Sequence, residues 1–210
     1  FDLTAHDKVY DGLASAKVTA KLTDTVDADD IVTAEIAAAF ADANAGADKD
    51  VSFEITGISG INADKYVLTD DAAKLRGTLK ASIEKAAVTF ICAKTTTRTY
   101  DGNAQTVDVS AMANGAVFDS SNYTVKYNGA DEAKDVGEYD VTIELAPSAA
   151  LNYEIKAQPN VKLIITNASQ EVFSIEDVPE TVYYGNKFKV SASGADGDVS
   201  YEITAGGDIA

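Results

Sequence analysis

Few residues in this chain are of types that do chemistry. Ser82-Ile83-Glu84-Lys85 has the Ser-x-x-Lys spacing in which a lysine amine can activate a serine nucleophile. No Ser-Asp-Asn or Lys-Thr-Gly segment accompanies it, and it lies in a strand-like run, so a strand joining two units is the better reading. His6 is the only histidine, stands beside Asp7 and is expected to be solvated. Cys92, the only cysteine, closes the apolar run Val88-Thr89-Phe90-Ile91-Cys92 and is expected to behave as a small buried hydrophobe. A cysteine nucleophile needs a base within hydrogen-bond reach, and the one histidine belongs to a distant segment. No nucleophile, base and orienting group can be assembled from one His and one Cys, so neither catalysis nor a bound cofactor is expected.

Carboxylates are the one abundant ligand type. Asp24, Asp27, Asp29 and Asp30 form the densest cluster, and hard oxygen ligands of this kind suit Ca²⁺. Their spacing fits no Ca²⁺ loop, so a solvated acidic turn is expected, with Ca²⁺ as the competing reading. Asp196-Gly197-Asp198 is a weaker candidate. Carbohydrate binding normally uses an exposed aromatic platform. This chain has no Trp, and most of its ten Tyr fall on strand or repeat positions.

Composition narrows the classes further. The chain has 210 residues, with 17 Lys+Arg against 34 Asp+Glu, a net charge of −17. Such a surface repels phosphate, which argues against nucleic acid as a partner. One Cys cannot form an internal disulfide, and one His with one Cys cannot build a Cys/His zinc site. The longest apolar runs fall far short of the roughly 18 residues of a membrane span. Hydrophobic content of 46% belongs to a folded chain. The chain opens on Phe1 and has no charged-then-apolar leader, so any signal peptide is expected to lie outside it.

The elements that carry these residues repeat. Lys8-Val9-Tyr10-Asp11-Gly12 recurs as Arg98-Thr99-Tyr100-Asp101-Gly102, and more loosely as Thr181-Val182-Tyr183-Tyr184-Gly185. Tyr100 follows Tyr10 by 90 residues, and Tyr183 follows Tyr100 by 83. A second landmark keeps step. Asn62-Ala63-Asp64-Lys65-Tyr66 lies late in the first unit, and Leu151-Asn152-Tyr153 late in the second. These spacings divide the chain into units at 1–86 and 87–167 and a partial third at 168–210. No Gly/Ser- or Pro-rich linker separates them, so close coupling is expected.

Within each unit the pattern is mostly strand. Tyr123–Tyr127, Tyr139–Leu145, Val51–Ile55 and Val161–Ile165 alternate or carry β-branched residues, with Asn114-Gly115 and Asn128-Gly129 as turns. Phe53 and Tyr139 are read as core aromatics. The run from Ile31 to Ala45 is ambiguous: its alanines favour helix, whereas Ile36, Ala38 and Phe40 share a face at period two. In Tyr-Asp-Gly the tyrosine can close the core edge, the aspartate can form an Asx turn, and the glycine permits positive φ. The motif reads as a strand-to-strand corner.

Lys8 to Gly12, Asp29 to Val32, Ala39 to Gly46, Val51 to Gly57 and Asn62 to Leu68 together resemble the YDG-type repeat of large bacterial surface and adhesin-like proteins. Tyr100 to Gly102, Asn122 to Tyr127, Asp135 to Tyr139 and Asn152-Tyr153 are similar to the related MBG-type, Ig-like repeats. The resemblance implies an all-β chain of tandem Ig-like β-sandwich repeats in an elongated array, with β-grasp-like repeats as the alternative. It implies a strand over Ile31–Ala45. It also implies a non-enzymatic spacer or stalk of an extracellular, secreted or wall-attached protein, with no cofactor and no membrane insertion in this segment. The alternative is a recognition module for a host or bacterial surface glycan or protein, accessory to a surface hydrolase in one variant.

Overall fold

Thr33–Phe40 contains four alanines and is nevertheless a strand, because Ile36, Ala38 and Phe40 face Ile55, Phe53 and Val51 across an antiparallel pair. Cross-strand apolar pairing on one buried face outweighs a helix propensity worth only tenths of a kcal/mol per residue, on the order of 0.5. The same logic builds the other described residues, which are all-β apart from one four-residue helical turn and short 3₁₀ turns. The computed structural model describes residues 2–21, 29–69, 71–169, 174–177, 180–181, 183, 185–187, 189 and 191–193.

The first unit comprises β1 (Asp2–Ala5), β2 (Lys8–Val9), β3 (Val18–Lys21), β4 (Thr33–Phe40), β5 (Gly46–Ser59) and β6 (Arg76–Glu84), with the helical turn α1 (Ala72–Leu75) before β6. Strands β2, β6, β5 and β4 form one sheet in that order, β2 running parallel to β6. Strands β1 and β3 form an antiparallel pair. Phe40, Val51, Ala81 and Ile83 make the buried cluster, and Ala5 of β1 and Val18 of β3 pack against it. The segment between β2 and β3 seals the end of β4: Ala16 N–H donates to the Ala38 carbonyl, and Phe40 N–H to the Ala14 carbonyl at 2.7 Å.

The second unit holds β7 (Ala86–Ile91), β8 (Thr95–Thr99), β9 (Ser110–Ala113), β10 (Ala116–Val117), β11 (Tyr123–Tyr127), β12 (Gly137–Leu145), β13 (Tyr153–Glu154) and β14 (Val161–Thr166). They form two four-stranded sheets, β10-β9-β7-β13 and β11-β12-β14-β8. Val88, Ala111 and Ala113 from the first meet Tyr123 and Ile143 from the second in one cluster. Tyr127, Val141, Val161, Leu163 and Ile165 form another, and Val109 and Val125 pack against both. Strand β12 pairs with β14 over Gly137–Val141 and with β11 over Val141–Leu145. Its two uncovered halves are met by side-chain amides. Asn128 Oδ1 accepts from Asp140 N–H, and Gln158 Oε1 accepts from Ile143 N–H while its Nε2 donates back to the Ile143 carbonyl.

Past Thr166, β15 (Ser174–Glu176) pairs antiparallel with β16 (Ser191–Ser193). The same plan occurs three times: a strand, a tyrosine–glycine corner, then an antiparallel partner. It is β1 and β3 around Tyr10, β7 and β9 around Tyr100, and β15 and β16 around Tyr183. No hydrophobic cluster draws residues from more than one of these units among the described residues.

Candidate functional site at the inter-unit joint

The tyrosine corners have matched geometry. Tyr10 N–H donates to the Glu84 carbonyl and Tyr100 N–H to the Thr166 carbonyl, each at 2.8 Å, so each corner is tied to the last strand of its own unit. Asp11 Oδ1 accepts from Leu13 N–H and Asp101 Oδ1 from Asn103 N–H, each at 2.9 Å, closing the same Asx turn. Gly12 and Gly102 both stand at φ +80°, where a side chain would strain the backbone. In the third copy Gly185 stands at φ +84°, Asn186 N–H donates to the Tyr183 carbonyl, and Tyr183 is 74% exposed. Lys8 braces the first corner through Asp11 and the Leu13 carbonyl, and with the Leu13 N–H it holds the Asp11 carboxyl below the usual carboxylate range. In the second corner Gln105 Nε2 takes that place against Asp101.

Because the last strand of unit one runs through Lys85 straight into β7, its corner lies against the next unit. The Tyr10 ring meets the Tyr153 ring edge-on at 5.3 Å between centroids, and Tyr153 leans on Phe118. Asn114 Nδ2 donates to the Tyr10 carbonyl at 2.7 Å. Asn152 works from the same side. Its Oδ1 accepts from Ala45 N–H at 2.8 Å, its Nδ2 donates to Asn44 Oδ1, and its carbonyl accepts from Ala86 N–H. Lys85 Nζ donates to the Ala150 carbonyl. An edge-on aromatic pair of this kind contributes about 0.5–1.5 kcal/mol beyond area burial. Apart from Lys85, these partners are uncharged, so salt has little to screen here. The sequence had marked Asn152-Tyr153 as a landmark and Asn114-Gly115 as a turn. It carried no sign that either reaches into the preceding unit.

The remaining candidates are dispersed. Ser82 and Lys85 stand three apart along a strand, hence on opposite faces, and Ser82 Oγ accepts from Asp48 N–H. The His6 ring bonds Thr19 Oγ1 at 2.8 Å. Cys92 packs against the second unit's Leu163 cluster, and burial raises its thiol pKa, the opposite of what a nucleophile needs. Asp24, Asp27, Asp196, Gly197 and Asp198 lie outside the described residues. Asp29 is exposed. Asp30 is engaged as a clasp: Oδ1 takes Lys65 Nζ and Oδ2 takes the Tyr66 hydroxyl, both at 2.7 Å, with its side chain 4% exposed. The second landmark of unit one is thus tied to the Asp-Asp turn, and Asn62 Oδ1 accepts from Ile31 N–H beside it. Among the described residues, no three His, Cys, Asp or Glu side chains gather as a metal site would require.

The Asp30 clasp makes a pH prediction. Lys65 first, then Tyr66, holds its carboxyl below the ordinary carboxylate pKa. A depressed folded pKa contributes stability that is complete above the unfolded value of about 3.9 and is lost as pH falls through the lower folded value. Asp30→Asn is therefore expected to lower the melting temperature at pH 7, and the gap to the wild type to close on acidification below about pH 4. Thermal melts of both proteins across pH measure this.

Comparison with known proteins adds one finding to this geometry. A YDG domain model matches residues 1–73. The match covers the Tyr10 corner, β4, β5 and the Tyr66 landmark, and it ends before β6, the strand to which the YDG corner is tied. No curated protein and no solved structure matches the chain.

Proposed function

We propose that this chain is a non-enzymatic spacer: consecutive Ig-like β units of an extracellular, surface-attached bacterial protein, held in line to display another domain. The joint carries this reading. A strand runs without a loop from one unit to the next, and the YDG corner of the first abuts the tyrosine landmark of the second. For the Ig-like character of unit two, the support is Tyr139, whose hydroxyl donates to the Asp135 carbonyl at 2.8 Å at the start of β12. That is the tyrosine-corner arrangement of Ig-like sandwiches. The YDG match over residues 1–73 supports the repeat class.

The recognition alternative has less behind it. A shallow concavity of about 580 Å³ at the β4-β5-β6 sheet is lined by Ala37, Ala39, Ser52 and Thr78 around the Glu54–Arg76 pair, with Phe53 its one aromatic. Tyrosines 10, 123 and 153 pack inward instead, on the core or the joint.

Small-angle scattering tests the spacer reading. The chain is expected to be elongated, with a defined separation between units one and two that broadens in Tyr153→Ala. A compact particle, or an unchanged profile in Tyr153→Ala, would count against it, as would saturable binding to a surface glycan. Melting with Ca²⁺ and with EDTA is expected to give the same temperature, because Asp30 already holds Lys65 and Tyr66. A rise with Ca²⁺ that Asp27→Ala removes would replace the passive spacer with a metal-rigidified one.

A further inference from the structure

Unit two contains two Asn-Gly pairs in two-residue hairpin turns. Asn114-Gly115 joins β9 to β10, and Asn128-Gly129 joins Tyr127 to Ala130. Their backbones match: φ is +52° and +76° in the first, +51° and +85° in the second. Asn and Gly suit such turns because they tolerate positive φ. At neither glycine would an added Cβ meet an atom within 4 Å, so nothing crowds the backbone after either asparagine. The asparagine side chains are held differently. Asn128 is gripped at both ends of its amide, Oδ1 accepting from Asp140 N–H at 2.8 Å and Nδ2 donating to the Glu138 carbonyl at 3.2 Å. Asn114 is exposed, and its Nδ2 reaches across the joint to the Tyr10 carbonyl.

We propose that Asn114 is a self-modification site that releases the joint. The Gly115 backbone nitrogen attacks Asn114 Cγ and forms a C–N bond. The Cγ–Nδ2 bond breaks, and the side-chain nitrogen leaves as ammonia with the proton from the Gly115 amide. Water then opens the cyclic imide at either carbonyl, giving aspartate or isoaspartate. Water is the only co-reactant, and nothing is oxidised or reduced. Either product has a carboxylate and no carboxamide: at Cγ in aspartate, and on Cα in isoaspartate, where the main chain now runs through Cγ. It cannot donate to the Tyr10 carbonyl, so two acceptors face each other across the joint. It also adds negative charge to a chain already at −17. Ring closure at Asn128 requires both hydrogen bonds of its amide to break first, whereas Asn114 has one to break, so the second turn serves as an internal control.

The chemistry and its effect on the joint stand on geometry. Only the consequence, a stiff spacer that becomes jointed with age, rests on the spacer reading, which scattering tests separately. The test ages the full chain at mildly alkaline pH. Peptide mass spectrometry follows conversion at each turn, and hydrogen exchange follows the joint amide of Ala45 in the same samples. The peptide with Asn114 is expected to convert before the one with Asn128, and exchange at Ala45 to rise in step. Asn114→Asp is expected to show that faster exchange from the start, with the amide of Leu163 still protected. Asn114→Gln keeps a carboxamide one methylene further out and is expected to resist ring closure at that turn. Conversion at Asn128 as fast as at Asn114 would overturn the proposal, and so would conversion at Asn114 with protection at Ala45 unchanged.

Discussion

Phe40→Ala is expected to destabilise unit one by about 3–5 kcal/mol, the cost of emptying an aromatic site in a packed core. Phe40 is 3% exposed, ends β4, and packs with Val51, Ala81 and Ile83. Its backbone is pinned by the bond to the Ala14 carbonyl, so the strand cannot slide in to fill the cavity. The loss is a large part of the roughly 5–15 kcal/mol that a domain possesses. Denaturant unfolding followed by hydrogen exchange should show unit one opening early while the amides of β12 and β14 keep their protection. Phe53 is the instructive contrast. It was read as a core aromatic and does lie on the same face as Val51 and Ile55, but it is half-buried and outside the buried cluster. It covers Gly77 on β6, where an added Cβ would come within 3.0 Å of its ring. Phe53→Ala is expected to cost about 1–2 kcal/mol, in proportion to its partial burial.

Leu163→Ala is expected to cost unit two about 2–5 kcal/mol. Leu163 is fully buried at the centre of β14, opposite Tyr139 on β12 and Thr96 on β8. A strand hydrogen-bonded on both sides has little freedom to collapse onto a void. The measurement is again denaturant unfolding, with the early loss now in β8, β12 and β14 and the amides of β5 still protected. Loss of protection in both units at once would mean that they unfold as one body, and that the joint is stronger than its contacts indicate. Tyr139 was likewise expected in the core. It is half-buried, with its hydroxyl on the Asp135 carbonyl, so Tyr139→Phe removes one hydrogen bond, about 0.5–1.5 kcal/mol.

The all-β class could be read directly, because period-two alternation and Asn-Gly turns are local signals that need no knowledge of the fold. The Tyr-Asp-Gly corner was legible for the same reason. The Asx bond spans two residues and the positive φ belongs to one, so the geometry at Tyr10 and at Tyr100 is contained in the motif. Thr33–Phe40 sat at the limit of this reading. Its residues alone left helix and strand in competition, and what decided it was a partner strand with apolar residues in register.

What no local pattern contained was pairing over distance. Nothing in the sequence around Asp30 announces its partners. Tertiary structure brings Lys65 and Tyr66 to its two carboxylate oxygens from 35 and 36 residues away. The choice of Phe40 over Phe53 as the buried aromatic was decided by which part of the sheet β1 and β3 cover. The joint was decided the same way. Asn114 meets Tyr10 across 104 residues, and Asn152 meets Ala45 across 107. The strands, the corners and their repetition are legible along the chain, because they depend on φ, side-chain period and near neighbours. The partners of Asp30, Phe40, Asn114 and Asn152 follow instead from the packing of whole sheets, which sets the residues that come within hydrogen-bond or van der Waals reach.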